Sequence, residues 1–260
     1  MTNTVSLKYQ LAASYGGFVI MVLYALCWGV LGHGAPPVSP NLSAAALAAF
    51  YSLHNGPILL GMTLAAVVGG LWIPWTAQLT LIMLRIEGKA PLLTIIQLIG
   101  GILTAWVLVS CPAIWATAAF RPDLDPATIR MLSDLGFIIF NITFMPTTLQ
   151  AVAAGLVGLA EAGKAPVFPR WVCYVAIAAG LSNLSVTLVT LFKTGPLAWD
   201  GGFNFYVPGG AFYLWGLTMT WFMVKDAHSR LAAEGAAGRV PAGTRPVTEG
   251  AEYGISTLDY

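Results

Sequence analysis

Six long apolar runs, at about 15–33, 57–84, 92–119, 136–160, 171–192 and 207–224, divide this chain, and most of its charged residues fall between them. A run of about 20 apolar residues crosses the ~30 Å hydrocarbon layer of a bilayer as a helix. Lipid offers a spanning backbone no hydrogen-bond partner, so such a run must satisfy its own peptide groups. The pattern therefore predicts an all-α, polytopic integral membrane helix bundle with six transmembrane helices. Of the 260 residues, 57% are hydrophobic and 9% charged, against about 25% charged in a soluble domain, which excludes a water-soluble globule. The net charge of +1, with no basic stripe and no basic-aromatic motif, excludes nucleic acid and leaves the lipid bilayer as the first partner.

Residues 1–230 read as a single transmembrane domain. The remainder, 231–260, is rich in Ala, Gly and Pro without periodicity and reads as a disordered cytoplasmic tail. The run after Lys8 imitates the apolar core of a signal peptide. The paired Pro36 and Pro37 suit a loop better than a cleavage site, so this run is expected to be a retained first helix.

Charge asymmetry predicts orientation. The connections RIEGKAP (85–91) and EAGKAPVFPR (161–170) carry Arg85, Lys89, Lys164 and Arg170, and Lys225, Arg230, Arg239 and Arg245 follow the last run. The 34–56 loop has no Lys or Arg. The positive-inside rule then puts both termini in the cytoplasm, in a cell inner membrane, although Arg121, Arg130 and Lys193 fall in loops that must be external. In those loops, 43–55 and 125–136 each open on a capping residue, Ser43 or Asp125, and read as short external interfacial helices. TGPLAWDGGFNFYVPGG, 194–210, has the glycine content of a non-helical loop able to dip toward the membrane against protein.

Two stretches echo each other. PWTAQ (74–78) and PTTLQ (146–150) share the form PxTxQ, and each precedes a GKAP turn, at 88–91 and 163–166. The spacing differs, nine residues against twelve, so duplication competes with shared helix-turn chemistry. Proline removes a backbone donor and frees a carbonyl one turn earlier. Thr147, Thr148 and Gln150 are placed to repair such a kink at Pro146, and Thr76 and Gln78 to do so at Pro74. On a second reading, Thr143, Thr147 and Gln150 form one helix face by i, i+4, i+7 spacing, as do Asn183, Thr187 and Thr190, and the two faces line a cavity. Interhelical glue is the third reading. The small-residue series Gly61, Ala65, Gly69, the pair Ala151, Gly155 and the pair Ala176, Gly180 mark close helix contacts, within the monomer or between copies.

No Asp, Glu, Lys, Arg or His falls near the middle of any run, which argues against a proton-driven transporter. His33, His54 and His228 sit near the ends of runs and do not suit a haem pair, and Cys27, Cys111 and Cys173 lack metal-ligand spacing. No metal and no cofactor is expected. Neither the paired NPA motifs of aquaporins nor the last-helix lysine of the rhodopsins is present. At the external rim, His54, Asp134, Trp199 and Asp200 combine acid, base and aromatic groups, although an interfacial aromatic belt accounts for such residues equally well.

Three classes follow. A carrier or binding protein for a small hydrophobic ligand fits the uncharged polar faces, Thr76, Gln78, Thr143, Thr147, Gln150, Asn183 and Thr187, beneath an aromatic rim. A non-catalytic subunit of a membrane complex or homo-oligomer needs only the packing faces. A lipid isomerase or cyclase would work at the rim. Orientation is directly testable: a cysteine introduced at position 88 is expected to react with an impermeant thiol reagent only from the cytoplasmic side, and labelling from outside overturns the assignment.

Overall fold

The computed structural model describes residues 3–121, 123–161, 163 and 165–237, and among these all regular structure is helical. Helix α1 (Asn3–Tyr24) runs on as a π-helical segment (Ala25–Leu31). Then come α2 (Ala44–Leu53), α3 (Asn55–Gly69), α4 (Trp72–Glu87), α5 (Leu92–Phe120), α6 (Pro126–Ile142) and α7 (Met145–Ala160). Helix α8 (Arg170–Ser182) continues as a 3₁₀ segment (Asn183–Thr190), and α9 is Gly202–Ala237.

Five helical stretches are long and apolar enough to cross a membrane: Thr4–Leu31, Asn55–Glu87, Leu92–Phe120, Pro126–Ala160 and Arg170–Thr190. The sixth expected run lies in α9, which has the length, at 36 residues, but dilutes its apolar residues with Thr, Tyr, Trp and Gly and is not among the five. Helix α9 also continues to Ala237, seven residues into the segment expected as tail. Residues 238–260, with Arg239 and Arg245, lie outside the described residues, as does Lys164 of the second GKAP turn.

Two expectations about the loops are corrected. Residues 125–136 are no separate interfacial helix but the first turns of α6, capped by Asp125, whose carboxylate accepts from the backbone N–H of Ala127 and Thr128. The stretch 202–210 is helical despite Pro208, Gly209 and Gly210. Its first turn is stapled to the preceding loop, with the Asn204 backbone N–H donating to Pro196 O at 3.1 Å and the Asn204 side-chain amide to Leu197 O at 2.7 Å. Phe205 and Phe212 reach the core aromatics Trp28 and Trp72. Tertiary packing outweighs local propensity here.

The bundle has two distinct ends. At one, Arg85 pairs with Asp226 at 2.6 Å, Arg230 donates to Gln10 at 3.0 Å and the Tyr15 hydroxyl lies 3.1 Å from His228 Nε2. This end gathers the start of α1, the 85–91 connection and the end of α9. At the other, Tyr51 of α2 donates to Ser133 of α6 at 3.2 Å, the Asn55 side-chain amide donates to Ala119 O, and Trp199 Nε1 donates to Val38 O at 2.8 Å.

The glycines expected to mark helix contacts act within the monomer. A Cβ at Gly69 would stand 2.6 Å from Leu108 O on α5, one at Gly155 2.7 Å from Cys173 O on α8, and one at Gly180 2.9 Å from Thr148 O on α7. Both charged turns share one device. The Glu87 carboxylate accepts from the backbone N–H of Leu93 and Thr94 at the start of α5, and Glu161 accepts from Val167 N–H at 2.9 Å. Each carboxylate accepts from backbone N–H past a proline; Glu87 in this way caps the first turn of α5, whereas the donor to Glu161, Val167, lies in the loop before α8.

Helix α5 is uninterrupted although Pro112 sits inside it. Proline at 112 leaves the Leu108 carbonyl without its i+4 donor, and the Tyr24 hydroxyl of α1 donates to that carbonyl at 3.2 Å. Tyr24→Phe is expected to lower stability by about 0.6 to 1.7 kcal/mol, the range for an interhelical hydrogen bond in a membrane. In a Pro112→Ala background, where the restored backbone N–H can serve Leu108, the same change should be nearly silent. Equal losses in both backgrounds, measured by thermal unfolding, would contradict this account.

Candidate functional site

Three departures from α-helical backbone cluster in space. They are the π-helical segment 25–31, the break between α6 and α7 at Thr143 and Phe144, and the 3₁₀ segment. All three contribute to the wall of one cavity of about 330 Å³, and the helical Pro208–Gly209–Gly210 stretch of α9 lines it as well. Non-helical backbone at membrane depth is tolerated only where protein covers it or where it lines a cavity, and π-bulges concentrate at functional sites. The cavity thus gathers three of the irregular segments, while the break at 70–71 between α3 and α4 lies apart from it.

The walls are aromatic. The Trp28 ring, placed inward by the wide π turn, stacks against Phe140 at 5.5 Å and 16° and against Tyr24 at 6.1 Å and 22°. Phe144, Phe205, Phe212 and Tyr213 complete much of the surface. The polar complement is small and uncharged. Thr104 and Thr147 hydroxyls share a 2.7 Å hydrogen bond, Thr143 donates to Ile139 O, and Asn141 donates to Phe137 O at 2.6 Å. Asn204 uses its amide N–H₂ on Leu197 O, while its Oδ1, like the Trp28 indole N–H, has no partner among the described residues. Both residues are more than nine-tenths buried and line the cavity. A buried polar group without a partner costs about 1–3 kcal/mol; these two atoms are closed off from the cavity space itself, and Gln78, Gln97, Ser110, Asn183 and Trp215 carry others away from it among the described residues.

The polar residues singled out in the sequence divide between two places. Thr143 and Thr147 line the cavity. Gln150, one turn further on, lies in a separate buried cluster, accepting from Trp72 Nε1 at 3.3 Å and donating to Thr76 Oγ1 at 3.2 Å. The two PxTxQ stretches thus touch each other. The reciprocal pair expected of a two-fold repeat is not formed: Thr148 donates to Gly180 O at 3.0 Å, and both polar side-chain atoms of buried Gln78 lack partners among the described residues.

Repair of proline kinks is not the role of these side chains. Pro74 and Pro146 each stand in the first turn of a new helix, after breaks at 70–71 and 143–144, where a missing N–H is no loss. The Gly70 carbonyl freed by Pro74 accepts from the backbone N–H of Ile73 instead.

The Asn183–Thr187–Thr190 face dissolves for a geometric reason. Residues four apart lie about 40° apart around an α-helix, but about 120° apart at three residues per turn. In the 3₁₀ segment the buried positions are accordingly Asn183, Val186 and Val189. Thr187 is exposed and donates to Leu184 O, three residues back. Val186, which periodicity did not single out, reaches the cavity, whereas Asn183 and Thr187 are not among its lining residues.

At the external rim, the four expected residues do not converge. Trp199 stacks on Phe137 at 5.3 Å and 10°. His54 lies against His33, ring centroids 4.2 Å apart, with His33 at φ 55°. Partial burial, and then the neighbouring His54, hold the His33 imidazole below its usual range. Among the described residues, neither imidazole hydrogen-bonds to a carboxylate, and neither Asp134 nor Asp200 forms an ion pair. No group of three or more His, Cys, Asp or Glu stands close enough to hold a metal ion among the described residues. Sequence reasoning did not place Trp28, Asn141, Asn204 and Tyr213 at the site: Trp28 and Tyr213 fall among the aromatics of the first and last runs, and the two asparagines belong to none of the periodic faces.

Comparison with known proteins adds no relative: no protein-family model, no curated protein and no solved structure matches this chain.

Gln150 provides the direct test of this division. Gln150→Leu is expected to destabilise the protein by about 0.6 to 1.7 kcal/mol for each of its two hydrogen bonds, with retention of a cavity ligand unchanged. Pro146→Ala should not rescue it, because Gln150 does not serve the carbonyl that Pro146 frees. Full rescue in thermal unfolding would restore the kink-repair role.

Proposed function

We propose that this membrane helix bundle binds, and passes on, a small uncharged hydrophobic molecule in the cavity between α1, α5, the α6–α7 break and α9. The single observation that carries this reading is the convergence of three irregular backbone segments on one aromatic-walled space whose polar complement is small and uncharged. A volume of about 330 Å³ lies at the lower end of the ~300–1,000 Å³ of small-molecule sites, which combine apolar walls with a few placed hydrogen-bonding groups. The Thr104, Asn141, Thr143 and Thr147 side chains supply the few polar groups along its wall. Among the described residues, tyrosines are the only titratable ones lining it, so no strong acid, base or thiol stands ready for chemistry, and binding or passage is favoured over lipid isomerisation.

The orientation belongs to the same proposal. The end carrying Arg85, Lys89, Lys225 and Arg230 faces the cytoplasm of a cell inner membrane, so that the cavity lies in the outer half of the bilayer. Its support is the positive-inside rule, together with the packing that brings Arg85, Asp226 and Arg230 to one end of the bundle.

Native mass spectrometry of gently extracted protein tests the reading. The wild type should carry one bound lipophile. Val107→Phe, which adds bulk into the cavity wall, should reduce its occupancy by about tenfold or more, roughly 1.4 kcal/mol in binding, without lowering the melting temperature. A stoichiometric protein partner and no lipophile would instead establish the subunit role.

A further inference from the structure

Glycine is the costliest residue after proline in a helix interior, so each glycine inside a membrane helix needs a reason. Close packing gives one at Gly61, Gly69, Gly100, Gly101, Gly155 and Gly180, where a Cβ would collide with a neighbouring helix or segment. Gly209 and Gly210 are different. Both lie inside α9 and line the cavity, and a Cβ built at either meets no heavy atom within 4 Å. Packing does not require them, and what they leave is open space in the cavity wall.

That space reaches the outer surface of the bundle. Gly210 and Tyr206 line the cavity and are both exposed, Tyr206 at 60%. Their exposed neighbours on α9 are Phe203, Val207 and Leu214, the apolar surface of a lipid-facing helix. Gly210 stands eight residues into α9 and at the fourth position of the apolar run 207–224, at the acyl-chain edge of the proposed span. The opening leads to the aromatic-walled cavity that Trp28 and Asn204 help to line.

We infer that Gly209 and Gly210 frame a lateral portal through which a lipid-dissolved, uncharged, ring-bearing molecule enters the cavity directly from the bilayer. The inference rests on the binding function proposed above and specifies its ligand class and route. Entry from the membrane selects molecules that partition into acyl chains. The aromatic walls favour a ring system.

The test uses the full chain in phosphatidylcholine vesicles with 1-pyrenemethanol, an uncharged ring-bearing alcohol, followed by energy transfer from tryptophan in stopped flow. The Val107→Phe variant gives the background from probe free in the lipid. Filling the portal with Gly209→Leu and Gly210→Leu together should slow association and dissociation alike by about tenfold or more while Kd stays within about threefold, since the route closes and the site remains. Phe144→Ala, which removes part of the aromatic wall, should do the opposite, raising the dissociation rate with association unchanged. The milder pair Gly209→Ala and Gly210→Ala guards against misfolding. It should keep or raise the melting temperature, since alanine favours helix, and slow both rates by about threefold. Unchanged rates in the glycine variants, with saturable binding intact, overturn the portal and leave the binding site standing. If the variants instead change only the oligomeric state, the glycines are a packing surface and the portal is likewise overturned. Transfer that is the same in wild type and Val107→Phe removes the binding reading, and the portal with it.

Discussion

The rest of this bundle depends on the close approach of α4 and α7 to α5 across Gly100 and Gly101. A Cβ at Gly100 would stand 2.5 Å from Pro146 O, and one at Gly101 2.5 Å from Gln150 Nε2. Without side chains there, α7 begins hard against α5. Gln150 then reaches Thr76 and Trp72 across the contact, and Thr147 reaches Thr104. Within lipid there is little hydrophobic drive for helices to associate, so dispersion at close range and a few buried hydrogen bonds supply it.

The cavity follows from that packing. Because α7 is held against α5, the α6–α7 stretch must change direction before it, at Thr143 and Phe144, and the wall opens there. On the facing side the π segment gives Trp28 its inward position, and the 3₁₀ segment substitutes small Val186 for a longer helical face. Tyr24 serves two needs at once, since its ring forms wall and its hydroxyl satisfies the carbonyl that Pro112 leaves free. Structure and cavity are therefore energetically linked through single residues, so substitutions at Tyr24 have to be interpreted with both roles in view.

The polar residues singled out in the sequence divide unexpectedly in place. Thr143 and Thr147 border the cavity, whereas Thr76 and Gln150 hold helices together and Thr187 is exposed and bonds to its own backbone. The i, i+4, i+7 rule that grouped them assumes an unbroken α-helix. One break and one 3₁₀ segment were enough to scatter the group, because the angle between residues four apart changes by about 80° between the two helix types. The aromatic residues of the site had no periodic signature at all, since aromatics are expected near membrane interfaces regardless of function.

The sequence by itself determined that this chain is a helical membrane protein, roughly where its apolar runs lie, how Ser43 and Asp125 start helices, and that no acid or base stands mid-membrane. Those properties are local: length, hydropathy and capping depend on residues a few positions apart. Only the tertiary structure decided which helices are broken, which glycines are packed and which border open space, which polar atoms pair, and that three irregular segments meet around one cavity. Such facts are set by side chains distant in sequence, as with Tyr24 at Leu108 and Trp75 at Thr220. A backbone group left open in one helix is settled only when another helix arrives beside it.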